Sequence, residues 1–561
     1  MHRFAPLSIL PLLFFLCVAF GGGAQETPHF SDDVVPEVLA QSLVNAMSDQ
    51  EALGQTLMFG YPGQAPDPLI LKRIQEQGLG GVKIFGWNAT DLNVLAETVG
   101  RYQRESISTR FGIPLLVATD QEGGWVRHVK GESSITPGNM AIGADGLPYD
   151  AWKTGEIIGK ELAAVGVNMN FAPTVDVFVD PRADVIGPRA FMADPGQTGI
   201  LGLSFAKGHE VSGVIGTAKH FPGHGDTSED SHGTLPTVNA PLSLLRERDL
   251  IPYRTLIAGG IPAIMVGHLA FPEITGNRVP ATLSPVLLET LLRDELGFEG
   301  VAITDDLFMT GARSDGSPLD EVCYRAMTAG ADLLLVSQGP NDHQAINSTL
   351  LERMKEEESF NARVRQAAAR VIAMKARYIK GKNAVPLEPA TEEMAIPAQE
   401  APSFFLEQAA RSITAVRSKR LPLPPEEAGK VLLAGFYPDF FTAGLERYEE
   451  AKTWKLTYQS DVASYQQRGR ELLRAAQNYD TVIVLLPDED MAILLEELEP
   501  IASKVIVLSV LSPAHLDALS WAQTSLAAYG TGEESFKAAF AALAGDFTPQ
   551  GTLPIPLQSV P

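Results

Sequence analysis

The sequence predicts an α/β protein, a (β/α)8 barrel of the TIM type followed by a smaller α/β sandwich domain. Three observations carry that reading. Between residues 50 and 340 short apolar runs alternate with longer amphipathic segments, the pattern of parallel strands joined by helices. Eight such runs occur, at 54–59, 81–85, 115–120, 168–171, 215–220, 263–268, 301–305 and 332–336. Polar residues collect where the runs end: Asp120, the 170–176 segment, Lys219-His220, His268, Asp305 and Ser337. In such barrels the active site is built at the carboxyl ends of the strands. A doubly wound open sheet is the competing architecture; the convergence of so many polar strand ends favours the barrel.

Taken from the amino end, residues 1–24 read as a secretory signal. His2 and Arg3 precede an apolar run from 7 to 20, and small residues follow it, with cleavage expected after Ala24. The run is short for a membrane span, and no later segment reaches the required length. An exported protein, periplasmic or secreted, is therefore expected. Cys17 raises lipoprotein attachment, but the bulky Leu16 before it argues against that route. Removal of the signal leaves Cys323 as the single cysteine, so no internal disulfide is expected. It falls in a helical run, 319–329, as a packing residue.

The catalytic barrel is expected over 34–380. Among its helices, the one after Thr282 shows the local logic: Ser284 can cap it, Pro285 suits its first turn, and Leu287, Leu288, Leu291 and Leu292 supply an apolar stripe. A helix over 360–378 closes the region. A linker rich in proline, 381–402, leads to the second domain, 403–561. There, runs at 431–435, 481–486 and 505–509 read as strands; the end of the chain adds a glycine turn, a helix and a short edge strand at 551–554. With no cluster of ionisable groups, this domain is assigned a structural role.

The chain has 561 residues, 45% hydrophobic and 20% charged, which describes an ordinary globular protein of more than one domain. Its formal net charge of −24 disfavours nucleic acid and anionic membranes as partners.

The densest chemistry lies in Lys219-His220-Phe221-Pro222-Gly223-His224-Gly225-Asp226-Thr227-Ser228-Glu229-Asp230-Ser231-His232. His220, His224, Asp226, Asp230 and His232 are metal-ligating types, but Pro222 and Gly223 keep His220 and His224 from sharing a helical face. The favoured reading is an acid/base dyad, in which Asp230 orients the His232 imidazole. Asp305 closes an apolar strand and is placed to act as a nucleophile, while its neighbour Asp306 suits a helix cap. In Asp120-Gln121-Glu122-Gly123-Gly124-Trp125 the carboxylate can accept bonds from hydroxyls; the glycines fit either close approach to a ligand or a tight turn into a helix. Trp125 fits a sugar platform or plain packing.

Together these residues resemble family 3 glycoside hydrolases. Lys219 to Thr227, Asp230-Ser231-His232, Thr304-Asp305-Asp306-Leu307, Asp120 to Gly124, Asn170 to Asp176 and Gly187-Pro188-Arg189-Ala190-Phe191 carry the likeness, from about residue 45 to the end. Within that family they look like the bacterial β-N-acetylglucosaminidases that act on cell-wall muropeptides, in their two-domain form. The resemblance implies a retaining double displacement with Asp305 as nucleophile and His232, paired with Asp230, as acid/base. It implies that Asp120, Arg189, Lys219 and His220 hold the sugar, and that His268 lines the site. His224 and Asp226 would shape the loop. No metal or organic cofactor is expected, and a monomer acting on N-acetylglucosamine-containing small molecules or oligosaccharides is the implied form. Two features depart from the pattern: His128 stands where these enzymes usually carry an arginine, with Arg127 just before it, and the chain reads as exported although many relatives are cytoplasmic. Phosphorolysis is the nearest alternative reaction, since a histidine does not repel phosphate as a carboxylate would. Other family 3 β-glycosidases, a metal-dependent barrel hydrolase and a non-catalytic sugar-binding protein are the further alternatives.

Overall fold

Eight parallel strands close nearly all the way into a barrel in the computed structural model, which describes residues 27–559 apart from 184, 228, 338 and 390–394. The expected signal and Cys17 lie outside the described residues. The strands are β1 (Leu57–Gly60), β2 (Gly81–Lys83), β3 (Leu116–Thr119), β4 (Met169–Asn170), β5 (Ile215–Phe221), β6 (Ala263–Val266), β7 (Val301–Thr304) and β8 (Leu334–Val336). They run side by side in chain order; β8 returns to β1, with Leu334 opposite Leu57, and one bridge between Ile303 and Leu333 joins β7 to β8. All eight expected strands are present, generally shorter than their apolar runs. The largest difference is at 54–59, where residues up to Gln55 still belong to the helix Asp49–Gln55.

Side chains alternate along a strand, so every second residue faces the barrel interior. Met58, Ala118, Met169, Met265, Ile303 and Leu335 form that inner layer, while Phe59, Val82 and Val117 pack outward against the helices. Two residues further along the same inward register stand Asp120 above Ala118, Asp305 above Ile303 and Ser337 above Leu335. Lys83 and Lys219 follow Gly81 and Thr217 in the same way. Strand periodicity thus aims a ring of polar groups at the carboxyl mouth. The other end is stoppered by the helix Glu358–Tyr378, whose Val371 and Met374 join the inner layer.

At that floor a buried carboxylate ties strands to helices. Asp332 is fully buried and accepts from Arg293 at 2.5 Å, Arg363 at 2.9 Å, Arg370 at 3.1 Å and the Ala302 N–H at 3.0 Å. Burial alone would raise its pKa, but the three guanidiniums outweigh that and lower it.

A six-stranded sheet forms the second domain: β9 (Thr414–Ser418), β10 (Val431–Gly435), β11 (Lys452–Lys455), β12 (Thr481–Leu486), β13 (Val505–Val510) and β14 (Thr524–Tyr529), in the order β9-β14-β13-β12-β10-β11. Only β9 is antiparallel to its neighbour. Three of these strands are unpredicted by hydrophobic pattern, for separate reasons. β11, Lys-Thr-Trp-Lys, is a polar edge; β9 is half exposed; β14, Thr-Ser-Leu-Ala-Ala-Tyr, lacks β-branched apolar residues. The expected strand at 551–554 is a correction. Gly551 N–H bonds to the Ile413 carbonyl at 3.0 Å and Thr552 N–H to the Ala144 carbonyl at 2.9 Å, so this stretch straps the second domain to the barrel instead of joining a sheet. The linker also ends earlier than 402, because the helix Ala401–Ser412 begins within it.

Cys323 is buried and free in the helix Leu319–Ala329, where burial pushes its thiol pKa up. Ser284 Oγ accepts the Leu287 N–H at 3.4 Å at the head of Val286–Glu295, which winds as a π-helix. No helix among the described residues is long and apolar enough to cross a membrane.

Replacing Asp332 with alanine leaves three guanidiniums facing one another without their counter-charge. The expected loss of stability is about 3–5 kcal/mol, read as a lowered denaturant midpoint. Because the folded-state pKa lies below the unfolded value, the wild-type contribution is present above the unfolded pKa and drains away as pH falls through the folded one. The difference in stability between wild type and Asp332→Ala should therefore shrink in acid; a constant gap from neutral to acid pH would refute the assignment.

Candidate active site

A cavity of about 590 Å³ opens at the carboxyl mouth of the barrel. Its deepest part is an ion cluster. Asp120, just past β3, is bonded by Lys83 from β2 and, at 2.5 Å, by Lys219 from β5. Glu122 accepts Lys219 at 2.6 Å and Arg189 through two parallel bonds of 2.8 Å. Burial opposes ionisation of both carboxylates. The two lysines nevertheless hold Asp120 well below the ordinary carboxylate range, and Arg189 with Lys219 bring Glu122 to about 2. Lys219 is raised despite its burial, because Asp120 and Glu122 favour its charge. Lys83 goes the other way: burial lowers it.

Local backbone explains how these groups converge. Gly123 and Gly124 have φ of 89° and 59°, so they turn a two-stranded hairpin, Gln121–Gly123 against Val126–Arg127. The turn leads into a hairpin and not, as the sequence alone also allowed, into a helix. It carries His128 back beside Asp120, where the His128 N–H bonds the Asp120 carbonyl at 3.0 Å. Arg127 points elsewhere, donating to the Ser133 carbonyl at 2.7 Å. Burial, with Lys83 3.5 Å away, lowers His128 to about 4 and leaves it neutral. Arg189 lies in the short helix Gly187–Arg189, its carbonyl held by Asn139 at 2.8 Å.

Asp305 follows β7, and its backbone N–H is bonded to the Val266 carbonyl on β6 at 2.9 Å. Its side chain accepts the Asp306 N–H at 2.8 Å. Burial would raise its pKa, yet His268, His220 and Lys219 together lower it and keep it ionised. Asp306 serves locally, accepting the N–H groups of Phe308 and Ser337 at 3.0 Å each. His220 Nδ1 lies 2.8 Å from Asp176 and its Nε2 lies 3.3 Å from Arg189. Asp176 also accepts the His224 N–H at 2.7 Å.

His268 is a correction. Expected on the cavity wall, it is fully buried beneath it. Nε2 donates to the Asp306 carbonyl at 2.9 Å, and Nδ1 lies 2.9 Å from Thr282 Oγ1. It braces the end of the strand that carries Asp305 and is not among the described residues that line the cavity. Trp125 lies half exposed outside the cavity, while Trp87, unmentioned by any motif, stands on its wall.

On the loop after β5, Asp230 and His232 form an exposed pair. One carboxylate oxygen takes both the His232 backbone N–H at 2.9 Å and Nδ1 at 2.8 Å. With Nδ1 carrying a proton toward Asp230, Nε2 is the nitrogen free to exchange one. Gly311 N–H ties the loop down through the Ser231 carbonyl at 3.0 Å. Asp120, His128, Arg189, Lys219, His220, His232 and Asp305 line one cavity; Asp230 stands behind His232. His224 also faces this space, neutral with its pKa at about 4 through burial, while Asp226 pairs with Arg248 at 2.7 Å.

Lys83 and Glu122 are cavity-lining groups of the ion cluster that motif reading did not single out. A lysine two residues into an apolar strand was the available signal for the first. For the second it was inward register within the Asp120 motif.

The neutrality of His128 is directly measurable. In protein labelled with 13C-histidine, its ring should titrate with a midpoint near 4, and Lys83→Met should raise that midpoint as one opposing charge disappears. An ordinary histidine titration near 6.5 would contradict the geometry.

Residues 50–374 match the family described as Glycosyl hydrolase family 3 N terminal domain. The chain is 36% identical over 322 residues to β-hexosaminidase A of Pseudoalteromonas piscicida, covering 52% of this chain and only 54% of that protein's length. A β-hexosaminidase of Thiobacillus denitrificans is 34% identical over 275 residues, 48% of this chain and 74% of that one. Among solved structures, a family 3 β-N-acetylglucosaminidase from a Paenibacillus species superposes with a TM-score of 0.82 at 30% identity. That match covers 92% of this chain and 100% of that one. With residues 50–374 matching that family and 92% of the chain superposing on that structure, the chain belongs to glycoside hydrolase family 3.

Proposed function

We propose that the chain is a retaining exo-β-N-acetylglucosaminidase. It would remove terminal β-linked N-acetylglucosamine from cell-wall muropeptide fragments or related glycosides, outside the cytoplasm. One observation carries the reading: an ionised strand-end carboxylate, Asp305, shares a cavity with His232, whose Nδ1 is held by Asp230. The relatives named β-hexosaminidase and β-N-acetylglucosaminidase support the choice of sugar.

In this reading the buried cluster of Asp120, Lys219 and Arg189 holds the hydroxyl groups of the terminal sugar. Asp305 attacks the anomeric carbon as the bond to the leaving oxygen breaks, and His232 Nε2 gives that oxygen its proton. Asp230 stabilises the imidazolium before the transfer and keeps the tautomer correct after it. Water then surrenders a proton to Nε2 and attacks the same carbon, releasing the sugar with its configuration retained and freeing Asp305. Ionisation of Asp305, favoured by His268 and His220, is what the first step requires.

Asp305→Ala should lower kcat by about 10⁴-fold or more on an aryl β-N-acetylglucosaminide while the circular dichroism and melting curve stay native. Normal turnover would remove Asp305 from the mechanism. His232→Ala should cost about 10²–10⁴-fold on a substrate with a poor leaving group, and far less on an activated aryl glycoside that needs no protonation. Equal losses on both would reject His232 as the acid. The wild type should cleave the aryl β-N-acetylglucosaminide and spare the aryl β-glucoside; formation of glycosyl phosphate on adding phosphate would reassign the reaction as phosphorolysis.

A further inference from the structure

Beside the catalytic cavity lies a second one of about 400 Å³, and Trp87 and Ser337 line both. The two spaces therefore adjoin. Trp87 is 44% exposed, unusual for the largest side chain in a loop so well tied down. One face of its indole lies on Phe85, with rings 4.4 Å apart and only 7° from parallel. Its Nε1–H donates to the Tyr61 carbonyl at 3.1 Å, and Asn88 donates to the same carbonyl at 3.0 Å. The indole is thus fixed in orientation while part of its surface stays open. Tyr61, also on the wall, is 3% exposed, and its hydroxyl is buried without a hydrogen-bond partner.

Position decides which part of a substrate reaches this space. Asp120, Arg189 and Lys219 converge from the β3–β5 side of the mouth, and Asp305 stands at β7. The second cavity is built on the loops after β8, β1 and β2. In a pyranose ring the anomeric oxygen and the 4-hydroxyl lie at opposite ends. A sugar held by its hydroxyls at β3–β5, with its anomeric carbon over Asp305, directs its leaving group toward β8 and β1. Charge narrows the leaving group further. Among the described residues lining the second cavity there is no lysine or arginine; His343 lies stacked on Phe59 with rings 3.9 Å apart, and Asp67 contributes a carboxylate whose oxygen caps the helix Pro68–Gln77. Leu69, Ile70 and Pro62 supply apolar surface around it.

Resting on the glucosaminidase reading above, we infer that this second cavity receives the leaving group, an uncharged sugar stacked on the open surface of Trp87. Of the two substrate groups proposed above, this selects neutral N-acetylglucosaminides over muropeptides, whose carboxylates Asp67 disfavours. Aromatic faces bind the C–H faces of sugars through dispersion and their quadrupole, which suits an acetamido sugar.

The test uses the full chain and three substrates: N-acetylglucosaminyl β-fluoride, which carries no leaving-group ring; N,N′-diacetylchitobiose, whose second sugar is neutral; and the disaccharide of N-acetylglucosamine with N-acetylmuramic acid, whose second sugar bears a carboxylate. In the wild type kcat/KM for chitobiose should exceed that for the muramic disaccharide by about tenfold. Trp87→Ala should lower the ratio of chitobiose to fluoride turnover by about tenfold, mainly through KM, with Trp87→Phe intermediate. An unchanged ratio overturns the assignment. So does a preference for the muramic disaccharide, which would put a cation-recognised acid in this space. A wild type inert toward all three defeats the glucosaminidase reading, and the assignment falls with it; activity on the fluoride together with an unchanged ratio defeats the assignment alone.

Discussion

Asp120 and Glu122 hold three cations that reach them from different parts of the chain: Lys83 from β2, Lys219 from β5 and Arg189 from the loop that follows β4. Without the carboxylates, Lys219 and Arg189 would repel each other in a space with little water. With them, all three cations stand together in the lining of the cavity. The register of three strands is coupled through one carboxylate, since a slip of one residue would turn Lys83, Asp120 or Lys219 out toward the helices. The shape of the cavity and the closure of the barrel therefore rest on the same bonds.

How much of this was readable depends on what kind of signal a residue leaves. The eight barrel strands were legible because parallel strands buried on both faces are nearly continuous apolar runs, interrupted by polar residues only at their ends. The Asp230–His232 pair was legible because two residues in one short loop can meet without help from the fold. His268 shows the opposite case. It closes an apolar run as Asp120 and Asp305 do, and only the structure shows that Thr282 and the Asp306 carbonyl occupy its two nitrogens. Position at a strand end predicts proximity to the mouth, but not which way a side chain turns once a neighbour offers it a bond. In the second domain the buried central strands β10, β12 and β13 were plain; β9 and β11 were not, because edge strands carry polar side chains that resemble loops.

The second domain contributes none of the described residues that line the catalytic cavity, yet the cavity depends on it. Phe178, Ala183, Ile186 and Ala190, which bracket Arg189 in sequence, pack in one core with Leu432, Val484 and Val507 of the second sheet. The strand-like tail completes the clamp, since the Ala193 N–H bonds the Pro554 carbonyl at 2.9 Å. Arg189 sits in a segment with a single three-residue helix and little secondary structure of its own. Such a segment needs a surface to pack against if a guanidinium is to hold a bidentate geometry. A structural domain in this chain thus acts on the site through the backbone of one loop.

Burial separates the two groups assigned to the chemistry. Asp305 is fixed by its N–H bond to Val266 of β6 and surrounded by charges that set its ionisation before any substrate arrives. His232 is 72% exposed at its side chain, and its partner Asp230 is 47% exposed. In water an ion pair of that kind gains little, because solvent competes for both members. The same pair covered by a sugar and its leaving group sits in a lower dielectric, where each hydrogen bond from Asp230 to the imidazole counts for more. The proposed nucleophile is therefore organised by the fold, whereas the proposed acid is completed by the substrate. That division fits a site that must grip one sugar in a fixed pose and still admit leaving groups of different shape above it.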